Sequence, residues 1–131
     1  MSQENVELVR AAIDALNRGN VDAATKGMAP DCECDWSRSV GFNAGVYSVD
    51  QWRGQIETFI SSWESFRLDA DEFIDAGDHV VTPLTNRFVG RDGIEVQARP
   101  TYVWTFREGA VVRACLYQDR EEALVAAGLT A

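Results

Sequence analysis

The sequence predicts an α+β fold in which helices pack on a bent, largely antiparallel or mixed sheet. Three observations carry this reading. Apolar residues near the N-terminus recur three and four apart, as on one face of a helix. A second, stronger amphipathic stretch follows Ser48. From Phe66 onward the apolar spacing changes to two, interrupted by glycine-containing turns.

The first helix is carried by Val6, Val9, Ile13 and Leu16, and Gly19 stops it. Asn20 is placed to cap a short second helix reaching Met28, with Pro30 preventing its continuation. Alternation then predicts a brief strand over 32–37, with Cys32, Cys34 and Trp36 on one side and Glu33, Asp35 and Ser37 on the other. Residues 38–47 hold two glycines and no period, and read as a loop. Ser48 followed by Gln51 forms a capping box. Behind it Trp52, Ile56, Phe59, Ile60 and Trp63 make a broad apolar stripe suited to a core face. Phe66, Leu68 and Ala70 alternate as a strand, and Ala76-Gly77-Asp78-His79 is a turn. Val80–Val89 is a strand in which Pro83 marks a bulge or an edge. After Gly90–Gly93 a long strand runs from Ile94 to Phe106, bent at Pro100. Glu108-Gly109 is a two-residue hairpin turn leading to a last strand over Val111–Tyr117. Asp119, with Glu122 three residues on, caps a C-terminal helix ending near Gly128. The order is two helices, a strand, a long helix and four antiparallel strands, with the helices expected on one sheet face.

At 131 residues the chain is about one domain by the rough prior of ~150 residues per domain. Its net charge of −9 repels phosphate backbones and anionic lipid, which argues against nucleic-acid and membrane-surface partners. There is no apolar run long enough to span a bilayer, and the polar, acidic N-terminus is unlike a signal peptide, so a cytoplasmic protein is expected. Cys32, Cys34 and Cys115, with a single distant His79, do not make a zinc ligand set. They read as small core thiols. No phosphate loop, nucleophile elbow or His-Glu-x-x-His motif occurs, so neither a metal nor a nucleotide cofactor is expected.

The hairpin turn sets an expected register. It pairs Phe106 with Val111, Trp104 with Arg113 and Tyr102 with Cys115, and one face then carries Tyr102, Trp104, Phe106, Val111, Arg113, Cys115 and Tyr117. Aromatic rings with a guanidinium and phenols are the wall of a small-molecule pocket. Trp36, Trp52, Phe59, Trp63, Trp104 and Cys115 are the candidate ligand contacts. Asp35, at a strand end leading into the loop, is the candidate general base, with Tyr102, Arg113 and Tyr117 stabilising a developing oxyanion. Regular alternation allows only one of Asp35 and Trp36 to face the pocket.

Several strings resemble, in order, the SnoaL-like branch of the nuclear transport factor 2-like superfamily, which includes ketosteroid isomerase. They are Ala15-Leu16-Asn17-Arg18-Gly19-Asn20-Val21-Asp22-Ala23, Ala29-Pro30-Asp31-Cys32-Glu33-Cys34-Asp35-Trp36, Val103-Trp104-Thr105-Phe106-Arg107-Glu108-Gly109 and Tyr117-Gln118-Asp119. The resemblance implies a cone-shaped roll with a deep pocket between sheet and helices, and a homodimer formed through the outer sheet face. It also implies isomerase, cyclase or hydrolase chemistry on a polyketide- or steroid-like molecule; the alternative is a non-catalytic ligand-binding or dimeric scaffold protein. Carried over from ketosteroid isomerase, the base falls at Asp35, or at Trp36 one residue on. One oxyanion donor falls at about Ala12, where it is missing, and the other at about Tyr102.

Overall fold

A computed structural model describes residues 2–40 and 44–129. Helix α1 (Ser2–Asn17) and the short α2 (Val21–Ala24) form a corner, where Asn20 accepts a hydrogen bond from the Ala23 amide at 3.1 Å. The second helix ends at Ala24, not Met28. Strand β1 (Met28–Asp35) starts earlier than expected and passes through Pro30. Val46–Tyr47, inside the stretch read as a loop, is a two-residue strand, β2, pairing with the end of β1. Gly41, Phe42 and Asn43 of that loop lie outside the described residues.

Helix α3 (Val49–Ser61) opens with the expected capping box, both Ser48 and Gln51 bonding reciprocally. There follow β3 (Ser65–Ala70), β4 (Ile74–Ala76), β5 (His79–Val89), β6 (Glu95–Ala98), β7 (Thr101–Arg107), β8 (Ala110–Tyr117) and α4 (Arg120–Ala126). The long strand expected from Ile94 to Phe106 is β6 and β7, broken at Arg99-Pro100. The sheet runs β2-β1-β8-β7-β5-β3, with β4 and β6 as further partners of β5. It is mixed, because β1 runs parallel to β8. Pro83 is at the point where β5 exchanges β4 for β3 on one side and β7 for β6 on the other. A missing amide proton there interrupts neither ladder.

The inner face packs against α1 and α3, and the main core includes Val9, Leu16, Trp52, Leu68, Leu84, Phe88 and Trp104. Asn17 fastens the end of α1 to β3. Its carboxamide accepts from the Leu68 amide (2.7 Å) and donates to the Leu68 carbonyl (2.8 Å), satisfying the backbone of an edge strand. The helices do not all share one face. Helix α4 covers part of the outer face in a second cluster with Val81, Val103, Cys115 and Tyr117. Asp119 caps it by accepting from Glu121, while Glu122 leaves the cap and pairs with Arg38.

The hairpin turn is as expected, with positive φ at Glu108 (53°) and Gly109 (79°) matching the twist of the flanking strands. The register beyond it is not. Arg107 pairs with Ala110 and Phe106 with Val111, but Thr105 then pairs with Arg113, leaving Val112 unmatched in a β-bulge. Trp104 therefore faces Ala114 rather than Arg113, and Tyr102 faces Leu116 rather than Cys115. One extra residue turns Arg113, Cys115 and Tyr117 to the outer face. The small Ala114 leaves room for the indole opposite. Ala114→Leu is expected to overpack this contact and destabilise the fold by about 1–3 kcal/mol, read from urea unfolding.

Candidate functional site

Between the inner face of the sheet and α3 lies a cavity of about 150 Å³. Its wall is aromatic on most sides. Trp36 stands 5.4 Å, centroid to centroid, from both Trp52 and Tyr102, and Trp104 lies 6.3 Å from Tyr102. Phe59, Phe66 and Phe88 close the other end, with Phe59 meeting Phe88 edge-on at 5.2 Å. Leu116, Asn86, Gln118 and the lip residues Ser39 and Val40 complete the wall. Among the described lining residues none is an acid, a base or a thiol. Burial pushes the Tyr102 phenol up to about 12, with the neighbouring Asn86 side chain acting the other way. The described wall is therefore uncharged at neutral pH.

The structure divides the expected site residues between the two faces of the sheet. Trp36, Trp52, Phe59, Tyr102 and Trp104 line the cavity. Trp63 stacks on the far side of Phe88 and borders a shallow depression with Ile94 and Val96. Asp35, Arg113, Cys115 and Tyr117 are absent from the cavity wall. They gather on the outer face because the end of β1 alternates regularly from Glu33 to Asp35, putting Cys34 and Trp36 inward and Asp35 outward, and because of the Val112 bulge. Asn86 was not legible as a site residue. The available signal was a lone amide in the inward row Val80, Leu84, Asn86 and Phe88.

On the outer face Asp35 is the centre of an ionic network. Arg113 Nη2 donates to its Oδ2 at 2.8 Å, and the Ser37 hydroxyl and amide donate to Oδ1 at 2.6 and 3.0 Å. Arg38 lies 3.7 Å from Oδ2, stacks over Tyr117 at 4.5 Å and bonds Glu122 at 3.3 Å. Burial would raise the Asp35 carboxyl, but the Ser37 bonds and the two guanidiniums outweigh it and hold it below its ordinary value. Burial likewise pushes the Cys115 thiol up. Gln118 donates to the Arg38 carbonyl at 2.9 Å, and Trp36 and Gly45 exchange backbone bonds at the base of the loop. This network holds the 37–40 turn, whose Ser39 and Val40 form the cavity lip. Among the described residues no group of three or more His, Cys, Asp or Glu side chains is placed to hold a metal ion. No helix is long and apolar enough to cross a membrane.

A curled mixed sheet closed by helices over an apolar cavity defines the class: an α+β roll of the nuclear transport factor 2-like, ketosteroid isomerase-like kind. The SnoaL-like domain matches residues 9–114, and the chain belongs to that family. Among solved structures it is similar to a nuclear transport factor 2-like protein of unknown function from Burkholderia pseudomallei, with 24% identity and a TM-score of 0.76 over 93% of this chain and 95% of that one. TerC, co-crystallised with polyporic acid, gives 22% identity and a TM-score of 0.77 over 88% and 92%. A putative polyketide cyclase from Xanthomonas campestris gives 18% identity and a TM-score of 0.72 over 96% and 98%. No curated protein matches the chain.

Asp35→Asn is expected to cost about 1–3 kcal/mol at pH 7, the range for hydrogen bonds to a charged, part-buried group. Because the folded carboxyl titrates below its unfolded value of about 4, its contribution is complete above that pH. It is lost as pH falls through the lower folded value, so the two proteins' stabilities should converge in acid. Denaturant curves across pH 2–7 check this.

Proposed function

We propose that the chain binds a neutral, mostly apolar, oxygen-bearing molecule of about single-ring size. The observation that carries this is the cavity wall: aromatic and aliphatic on most sides, with hydrogen-bonding groups and no charge. At about 150 Å³ the space is of the size that holds benzene, below the ~300–1,000 Å³ of drug-sized sites. A four-ring steroid does not suit it. Small-molecule binding by a neighbour of similar fold, TerC with polyporic acid, supports the general use of such a pocket.

Isomerase, cyclase or hydrolase chemistry is the second reading, favoured by the hydrogen-bond donors in the wall. Polarisation of a ligand oxygen by Tyr102 and Trp104 suits this wall better than proton abstraction by Asp35. Asp35, Arg113 and Tyr117 then act as positioning groups for the lip, behind the sheet. Three buried free thiols suit a reducing, cytoplasmic compartment. A homodimer would use the part of the outer face that α4 leaves open, around the half-exposed Thr105 and Arg113. Sedimentation at micromolar concentration should then give twice 14.5 kDa, and a 14.5 kDa species would refute the dimer.

Three of the four tryptophans line the cavity, so intrinsic fluorescence reports occupancy. Toluene is expected to give a saturable change. Benzoate, of similar shape but charged, should bind at least about tenfold more weakly, because no cationic group among the described lining residues offsets the desolvation of its carboxylate. Equal binding of benzoate, or no saturable response to toluene, would refute the proposal.

A further inference from the structure

Among the described residues four buried side-chain polar atoms have no hydrogen-bond partner: Trp63 Nε1, Thr82 Oγ1, Asn86 Oδ1 and Trp104 Nε1. An unpaired polar group in an apolar interior costs roughly 1–3 kcal/mol, so each calls for a reason. Trp63 and Thr82 do not border the main cavity. Asn86 and Trp104 do, and they are only 3% and 2% exposed. Tyr102, also buried, stands beside them in the wall, and the Asn86 side chain lowers its phenol pKa against the effect of burial. The carboxamide oxygen of Asn86 is left without a partner. The wall thus contains one unused acceptor, Asn86 Oδ1, and one unused donor, Trp104 Nε1–H, within a single aromatic enclosure.

An acceptor and a donor left unpaired in one wall match a group that is both. A hydroxyl is the smallest such group: its proton goes to a carboxamide oxygen and its lone pair takes an indole N–H. Resting on the pocket reading above, we infer that Asn86 and Trp104 are a recognition pair for a hydroxyl carried on the bound ring, making the ligand a phenol or a ring alcohol. Both atoms are recessed in the wall, so binding includes a rotation of the Asn86 carboxamide and a small shift of the Trp104 indole toward the hydroxyl. Tyr102, in the same wall, offers its own O–H as an additional donor. The specificity is for hydroxylated over bare rings, a distinction that hydrophobic contact alone does not make.

The test is the ratio of phenol to toluene affinity, by tryptophan fluorescence or calorimetry, in the wild type and in Asn86→Leu. The ratio cancels the different hydrophobicity of the two probes. Asn86→Leu is nearly isosteric and should still bind toluene, but its phenol-to-toluene ratio should drop about tenfold. Trp104→Phe, which removes the N–H, should lower the ratio in the same direction and serves if Asn86→Leu does not fold. A ratio unchanged within about twofold, with toluene still bound, would overturn the hydroxyl pair and leave the apolar pocket standing. Failure of the wild type to bind toluene or phenol would overturn both.

Discussion

A strand that carries one more residue than its neighbour turns every later side chain to the opposite face, and β8 does this at Val112. The consequences reach both sides of the sheet. Inward, Ala114 and Leu116 face Trp104 and Tyr102, leaving space where bulkier groups would have filled it. Outward, Arg113, Cys115 and Tyr117 meet Asp35, Arg38 and α4. An uncharged cavity and a charged outer network follow from one unpaired residue.

The two faces are mechanically joined even though their chemistry is separate. Asp35 and Trp36 are consecutive, one in the ionic network and the other between Trp52 and Tyr102. Arg113, Ser37 and Arg38 fix the turn from outside, and Ser39 and Val40 of the same turn form the lip. Apolar contact supplies the cavity's substance, while the charges fix where its rim stands. This division keeps ionised groups near water, where their desolvation is small, and leaves the described cavity wall without charge.

Much of the fold was legible in the sequence, because it is set by local signals. The Ser48–Gln51 box, the Asn20 cap and the Glu108-Gly109 turn all form as their residues dictate. So does the inward row Cys32, Cys34 and Trp36. The candidate site was legible only in part. Its aromatic half, Trp36, Trp52, Phe59, Tyr102 and Trp104, could be found because large apolar residues declare themselves. The polar half could not: nothing local to Val111-Val112-Arg113 marks a bulge, since three acceptable strand residues stand in a row. That choice is made by tertiary contacts, including the Val111 amide's bond to the Gly27 carbonyl and the packing of Trp104 on Ala114. Met28–Asp35 likewise begins early because β8 offers it a parallel partner, which outweighs the local signal of Pro30.

The separation of indoles from guanidinium depends on the β7–β8 pairing, and cross-strand nuclear Overhauser contacts measure that pairing directly in solution. The account predicts contacts from Trp104 to Ala114 and from Tyr102 to Leu116. Contacts instead from Trp104 to Arg113 and from Tyr102 to Cys115 would return the charge to the cavity wall and contradict it.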